Sequence, residues 1–262
     1  MRLSVESLAV GYGHKKVLED ISFHADSGEI VALIGPNGSG KSTLIKTLCN
    51  ILPKISGRIL IDDRNVEEID ITDLAKLIAY VPQSANVAVY TSVIDMVLLG
   101  RRPYVTWSYR EKDIEYAVQA MERMKVDKYS DRNVSDLSGG QRQRAFIARC
   151  LAQCPSFYIF DEPTSALDLK HQMNTMISMS KIVHREGACM IIALHDINLA
   201  LKYCDRVVIL KDKGIYSTGT PLETITSESI RDVYGVDAKI ADTPDGRYIL
   251  PVAPCDTDAG GD

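Results

Sequence analysis

The 262-residue sequence has no uninterrupted apolar run of the roughly 18 to 20 residues that a membrane-spanning helix needs. Its start, MRLSVESLAV, lacks the basic-then-apolar order of a signal peptide. The expectation is a cytoplasmic chain that reaches a membrane only through a partner. An excess of positive charge is also missing. Lys and Arg number 30 against 35 Asp and Glu, a formal net charge of −5, which argues against broad, sequence-independent nucleic-acid binding. Six cysteines include no CxxC pair, and they are read as reduced core residues, such as Cys49 after a helical run and Cys189 opening CMIIAL. Cys150 and Cys154 would stand one helical turn apart, but Pro155 ends that helix and no His or Asp completes a metal set. Tandem repeats, low-complexity runs and long linkers are absent. Only the end, DTDAGGD, short, acidic and glycine-rich, reads as disordered.

What is present is an ordinary globular composition, 45% hydrophobic and 25% charged, on a chain long enough to bury one substantial core. LSVESLAV and VLEDISFHAD alternate as half-buried antiparallel strands around the turn GYGHKK. EIVALI follows Ser27-Gly28 as a short strand buried on both faces, with a loop and a helix after it. GRILID at 57–62 and IAYVPQ at 78–83 read as further strands. Residues 84–136 change character: VIDMVLLG and EKDIEYAVQAMERMK carry apolar residues at helical spacing, with acidic residues early in the second, as an inserted helical subdomain would. Alternation then resumes, with a helix over 141–153, strand FYIFDE, a helix over 169–184, strand ACMIIALHD, a short helix and strand RVVIL. Strand–helix alternation of this kind implies a mainly parallel sheet covered on both sides.

Three motifs carry chemistry. Gly35-Pro36-Asn37-Gly38-Ser39-Gly40-Lys41-Ser42 fits G-x-x-x-x-G-K-[ST] between a buried strand and a helix, the context that motif requires. Its glycines allow the tight turn that aims backbone N–H groups at phosphates, and the helix adds its positive end. Lys41 then meets the β- and γ-phosphates, and Ser42 offers a hydroxyl to Mg²⁺. This loop alone leaves ATPase, GTPase and small-molecule kinase open. Asp161 and Glu162 end an apolar strand, and strand carboxyl ends are where open parallel sheets bind ligands. Asp161 can therefore hold Mg²⁺ and Glu162 reach an attacking water. Finally Leu137-Ser138-Gly139-Gly140-Gln141 opens a helix.

That LSGGQ string resembles the signature motif of ATP-binding cassette (ABC) ATPases, and the other elements stand in that family's order. The resemblance implies an α/β fold: a mainly parallel-sheet P-loop NTPase core, an antiparallel β subdomain and an inserted helical subdomain. On that plan the core spans 1–83 and 155–220, the helical subdomain 84–154 and a C-terminal segment 221–250, with 251–262 a flexible tail. The nucleotide-binding set it implies is Tyr12, stacking on adenine, the loop from Gly35 through Thr43, Ser138, Gly139, Gly140, Gln141 and Asp168. Glu162, His195 and Gln83 become the catalytic set, and Ser42, Gln83 and Asp161 the Mg²⁺ set. ATP would be sandwiched between the phosphate loop of one copy and the LSGGQ of a second, head to tail. Integral-membrane permease subunits would dock on the insert, for which residues 84–104 are candidates, including Tyr90, Leu98, Leu99, Gly100, Arg101, Arg102, Pro103 and Tyr104.

LLGRRPY, TSALDLKHQ, LHDINLALKYCDRVVILKDKG and VYGVDAKI are similar to the ATPase subunits of iron–siderophore, haem and cobalamin importers, although VTWSYREKD replaces an expected phenylalanine-glycine pair. Molybdate or tungstate importers share much of this phrasing. The implied function is ATP hydrolysis at the cytoplasmic face of the cell membrane, energising uptake of a metal chelate delivered by a binding protein. A non-transport ABC ATPase is disfavoured, since 84–136 is too short for a long coiled coil, CxxC modules are missing and there is one cassette, not two. A small-molecule kinase leaves LSGGQ and His195 unexplained.

Overall fold

The computed structural model describes residues 1–83 and 91–255. The first half runs β1 (Arg2–Tyr12), β2 (Lys15–Asp26), β3 (Ile30–Ile34), α1 (Lys41–Leu48), β4 (Ser56–Ile61), β5 (Arg64–Asn65), α2 (Ile71–Leu77) and β6 (Ile78–Val81). The helical insert contributes α3 (Val93–Leu98), a 3-10 turn (Leu99–Tyr104), α4 (Glu111–Arg123) and α5 (Gly139–Gln153). Then come β7 (Phe157–Asp161), α6 (Leu169–Glu186), β8 (Cys189–Ala193), α7 (Ile197–Tyr203), β9 (Arg206–Lys211) and β10 (Gly214–Gly219). The chain closes with α8 (Pro221–Thr224), α9 (Ser227–Tyr234), β11 (Val236–Thr243) and β12 (Gly246–Pro254).

The alternating pattern of the opening produces an antiparallel hairpin whose turn is Gly13-His14, with Gly13 at φ 57°. β4, the strand expected over 57–62, joins this sheet rather than the parallel one, in the order β2-β1-β4-β5. The second sheet is β10-β9-β3-β8-β7-β6, parallel throughout except for the β9–β10 pair. Its β3, β7 and β8 are buried at every position, which is why they read as unbroken apolar runs. Because strand side chains alternate between faces, one sequence feeds two cores. Val31, Leu33, Phe157, Ile159 and Ile191 pack with α1 and the antiparallel sheet. Ala32, Ile34, Tyr158, Phe160 and Ile192 pack with α5, α6 and the helical insert.

Within the insert, the Gly100-Arg101 step is internal. A Cβ on Gly100 would lie 2.0 Å from the Arg149 carbonyl oxygen, so only glycine lets the turn meet α5. Arg101 is buried; its Nε donates to Asp113 Oδ1 at 3.0 Å and its Nη1 to the Ala152 carbonyl at 2.9 Å. Its guanidinium also lies over the Tyr104 and Tyr116 rings, 4.1 and 4.4 Å from their centroids. The expectation of a partner-facing arginine pair is thus corrected: Arg101, Gly100 and Leu98 serve packing, and Leu99, Arg102 and Tyr104 remain exposed. Tyr90 lies outside the described residues.

The core reading of the cysteines is corrected in part. Cys150, Cys189 and Cys204 are buried, and burial pushes the Cys189 thiol up to about 12, whereas Cys154 is exposed as the left-handed cap of α5. The terminal strands form a separate hairpin, held to α7 by Asn198, whose side chain both accepts from and donates to the Ile249 backbone at 2.8 and 3.2 Å. β12 continues to Pro254, past the boundary at 250 expected for the last ordered segment.

Candidate functional site

The parallel sheet assembles the site by its strand order. β3, β8, β7 and β6 are successive neighbours. The phosphate loop leaves the carboxyl end of β3, His195 stands two residues beyond β8, Glu162 one beyond β7, and Gln83 two beyond β6. Four segments far apart in sequence thus emerge side by side, as parallel strands require. They line a cavity of about 350 Å³ formed by residues 37–43, Gln83, Glu162, His195 and Val17. Val17 gives no chemical signal in the sequence; it is an aliphatic wall supplied by β2.

The loop's glycines have definite reasons. Gly35 (φ 150°) passes so close to β9 that a Cβ would sit 2.4 Å from the Leu210 carbonyl oxygen. Gly40, at φ 100°, starts α1 without a side-chain cap, and the helix's first turn holds no acidic residue. The leading N–H groups of α1 and its positive end therefore face the cavity without an anionic side chain of their own turn. Ser39 Oγ, in the same loop, is buried and has no hydrogen-bond partner among the described residues. Lys41 Nζ donates to the Gly35 and Pro36 carbonyls at 2.8 and 3.1 Å. Burial pushes its pKa down, and Glu162 and Asp161 oppose that shift.

Ser42 Oγ donates to Asp161 Oδ1 at 2.9 Å. Desolvation raises the Asp161 pKa; the Ser42 bond lowers it and neighbouring Glu162 raises it further. Glu162 is held at both oxygens, by Gln83 Nε2 at 2.5 Å and by His195 Nε2 in contact with Oε1. It sits at φ 52°, a left-handed conformation that a glutamate adopts only when its surroundings compel it. The hydroxyl–carboxylate pair Ser42 and Asp161 suits Mg²⁺, a hard cation that takes few protein oxygens and shares its remaining positions with substrate phosphates.

Other sequence-selected residues lie elsewhere. Tyr12, 54% exposed at the end of β1, is not in the cavity lining. Ser138 caps α5 reciprocally with Gln141: the Gln141 N–H donates to Ser138 Oγ at 3.3 Å, and the Ser138 N–H to Gln141 Oε1 at 3.0 Å. Gln141 Nε2 also donates to Tyr129 Oη at 3.0 Å. Ser138 and Gly139 are exposed, and a Cβ on Gly139 would meet nothing within 4 Å. Asp168 caps α6, accepting from the His171 N–H at 2.8 Å. The chain therefore brings one set of motifs together and presents the signature on a separate surface.

The ABC transporter family matches residues 18–165. The chain is 40% identical over 252 residues to an uncharacterised ABC transporter ATP-binding protein of Methanocaldococcus jannaschii, covering 96% of this chain and 98% of that one. It is 34% identical over 244 residues to the probable siderophore transport system ATP-binding protein YusV of Bacillus subtilis, covering 92% and 89%. A solved inward-facing structure of a putative metal-chelate type ABC transporter superposes with a TM-score of 0.83 at 27% identity, covering 97% of this chain and 98% of that chain. By this match over more than half of its length and by these relatives, the chain belongs to the ABC transporter family as an ATP-binding, ATP-hydrolysing subunit.

Proposed function

We propose that this ATPase works as one of two identical halves that close on ATP, and that closure and reopening drive a membrane permease importing a metal chelate. The observation that carries the two-copy reading is the split site. Ser138, Gly139 and Gly140 stand on an exposed helix start that does not line the chain's own phosphate cavity. The open surface at Gly139, at the N-terminus of α5, is a second anion cradle, and a second copy brings it to the γ-phosphate.

In this reading Lys41 and the loop N–H groups neutralise the β- and γ-phosphates, and Tyr12 stacks on the adenine face. Ser42, Asp161 and Gln83 would hold Mg²⁺, which would supply positive charge to the phosphate oxygens. Gln83 and His195 fix the Glu162 carboxylate so that it accepts a proton from the attacking water, while His195 orients the terminal phosphate. Asp168, which caps α6, and Gln141, which caps α5 with Ser138, complete the nucleotide-binding set. Each charge-assisted contact to the γ-phosphate contributes about 1.5–3 kcal/mol. Losing several on hydrolysis is enough to reopen a pair.

The chelate reading rests on the siderophore-transport relative and the metal-chelate neighbour, together with LLGRRPY and the C-terminal VYGVDAKI. Gentle extraction of the tagged protein from source membranes tests it. Recovery of a stoichiometric multi-spanning permease, with ATPase activity stimulated by a binding protein loaded with a ferric chelate, supports uptake at the cytoplasmic membrane face. Stimulation by molybdate or tungstate instead would move the assignment to oxyanion import. Recovery with ribosomes or DNA and no permease would overturn transport.

A further inference from the structure

The cleft between α6 and the end of α4 gathers positive charge that the ATP site does not use. A cavity of about 200 Å³ there is lined by Arg123, Lys125, Arg144 and Lys181, with polar His171, Asn174 and Ser178, and by no carboxylate. On α6 these positions recur at 171, 174, 178 and 181, one helical face, so a polar stripe rather than an apolar one borders the cleft. In a chain of net charge −5, this cleft gathers two lysines beside Arg144 and Arg123, of which Arg123 is paired with Glu186.

The carboxylates beside the cleft are already engaged: Asp168 binds the His171 backbone and ring, and Glu186 pairs with Arg123. Neither Lys125 nor Lys181 takes part in an ion pair among the described residues. Arg144, only 8% exposed, gives one Nη to the Met124 and Lys125 carbonyls at 3.1 and 3.3 Å, tying α5 to the end of α4. Its Nε is buried and has no acceptor among the described residues.

We propose that this cleft is a second anion site, binding a multivalent phosphate-type oxyanion between Lys125 and Lys181, beside the Arg144 guanidinium. The volume holds several waters or one small polyphosphate. Such a ligand touches the helical insert through Lys125 and Arg144 and the core through α6, so it restrains movement of one against the other.

The test uses pyrophosphate, titrated calorimetrically at fixed ionic strength into full-length protein already saturated with ADP. The comparison is the Lys125→Gln/Lys181→Gln double variant, in which both replaced side chains are exposed; circular dichroism and unchanged basal ATPase turnover verify its fold. Saturable binding to the parent without ADP release, weakened tenfold or more in the variant by loss of two charge-assisted contacts, is the expected result. Equal affinity in both proteins, no binding to the parent at millimolar pyrophosphate, or ADP displacement would each overturn the proposal. None of these outcomes depends on what the permease carries.

Discussion

The helical insert and the end of the parallel sheet both bury charge, and they use it in opposite ways. In the helical insert, Arg101 and Asp113 meet in an ion pair at 3.0 Å whose remaining donors go to the Ala152 carbonyl and to two tyrosine faces. At the sheet end, Lys41, Asp161 and Glu162 are buried with weaker mutual compensation, Lys41 resting on two loop carbonyls. The electrostatics record the contrast. The Arg110 backbone N–H and the Arg101 guanidinium lower the Asp113 pKa against desolvation, whereas desolvation dominates at Asp161 and raises its pKa. A satisfied buried pair holds a fold; an under-compensated one is kept for a ligand that brings its own charge.

The largest test of that contrast is Glu162→Gln, which keeps the shape and removes the base. Hydrolysis is expected to slow by about 10²- to 10⁴-fold while ATP affinity holds, measured by turnover beside equilibrium nucleotide binding. Unchanged turnover would remove Glu162 from its role. On the other side, Arg101→Ala strands a buried carboxylate and should lower unfolding stability by about 3–5 kcal/mol in denaturant titrations. A loss below 1 kcal/mol would show that the insert does not rely on this pair. Next in size, Lys41→Ala should weaken ATP binding by about 1.5–3 kcal/mol, since one charge-assisted contact is lost; retained affinity counts against the loop assignment.

The smallest effect is one of sign and pH. With its native pKa raised, Asp161 favours folding when protonated, and that contribution is lost as pH rises through its native pKa. Asp161→Asn should therefore be more stable than the parent at neutral pH, with the gap closing in acid. Asp113 has a lowered native pKa, so its contribution is present above the unfolded value and lost as pH falls through the native one. Asp113→Asn should be less stable at neutral pH, again with a gap that closes in acid. Thermal melts of both variants from neutral to acid pH check this, and parallel trends would erase the contrast.

Much of the architecture was readable because it is periodic. Alternating apolar residues gave the opening hairpin, and unbroken apolar runs gave β3, β7 and β8, since strands covered on both faces have no polar side to show. Several pieces were missed: β5 has two residues, α2 buries only Leu74, β10 has no fully buried position, and α8, α9 and the β11–β12 hairpin lie at the end of the chain with only partial burial to mark them. LLGRRPY misled because a buried arginine and a surface arginine are the same letter. Only the Asp113 and Ala152 partners, 12 and 51 residues away, distinguish them.

The sequence by itself determined the chemistry available: a glycine loop with Lys41 and Ser42, two carboxylates after an apolar strand, and a helix opened by Ser138. Local spacing is sufficient for these, because each motif's function depends on its own backbone turn. The tertiary structure decided who meets whom. The order β3-β8-β7-β6 places His195 and Gln83 on either side of Glu162, while leaving the signature helix outside the cavity lining. No local pattern encodes this, because it follows from strand neighbours chosen by burial across the whole sheet.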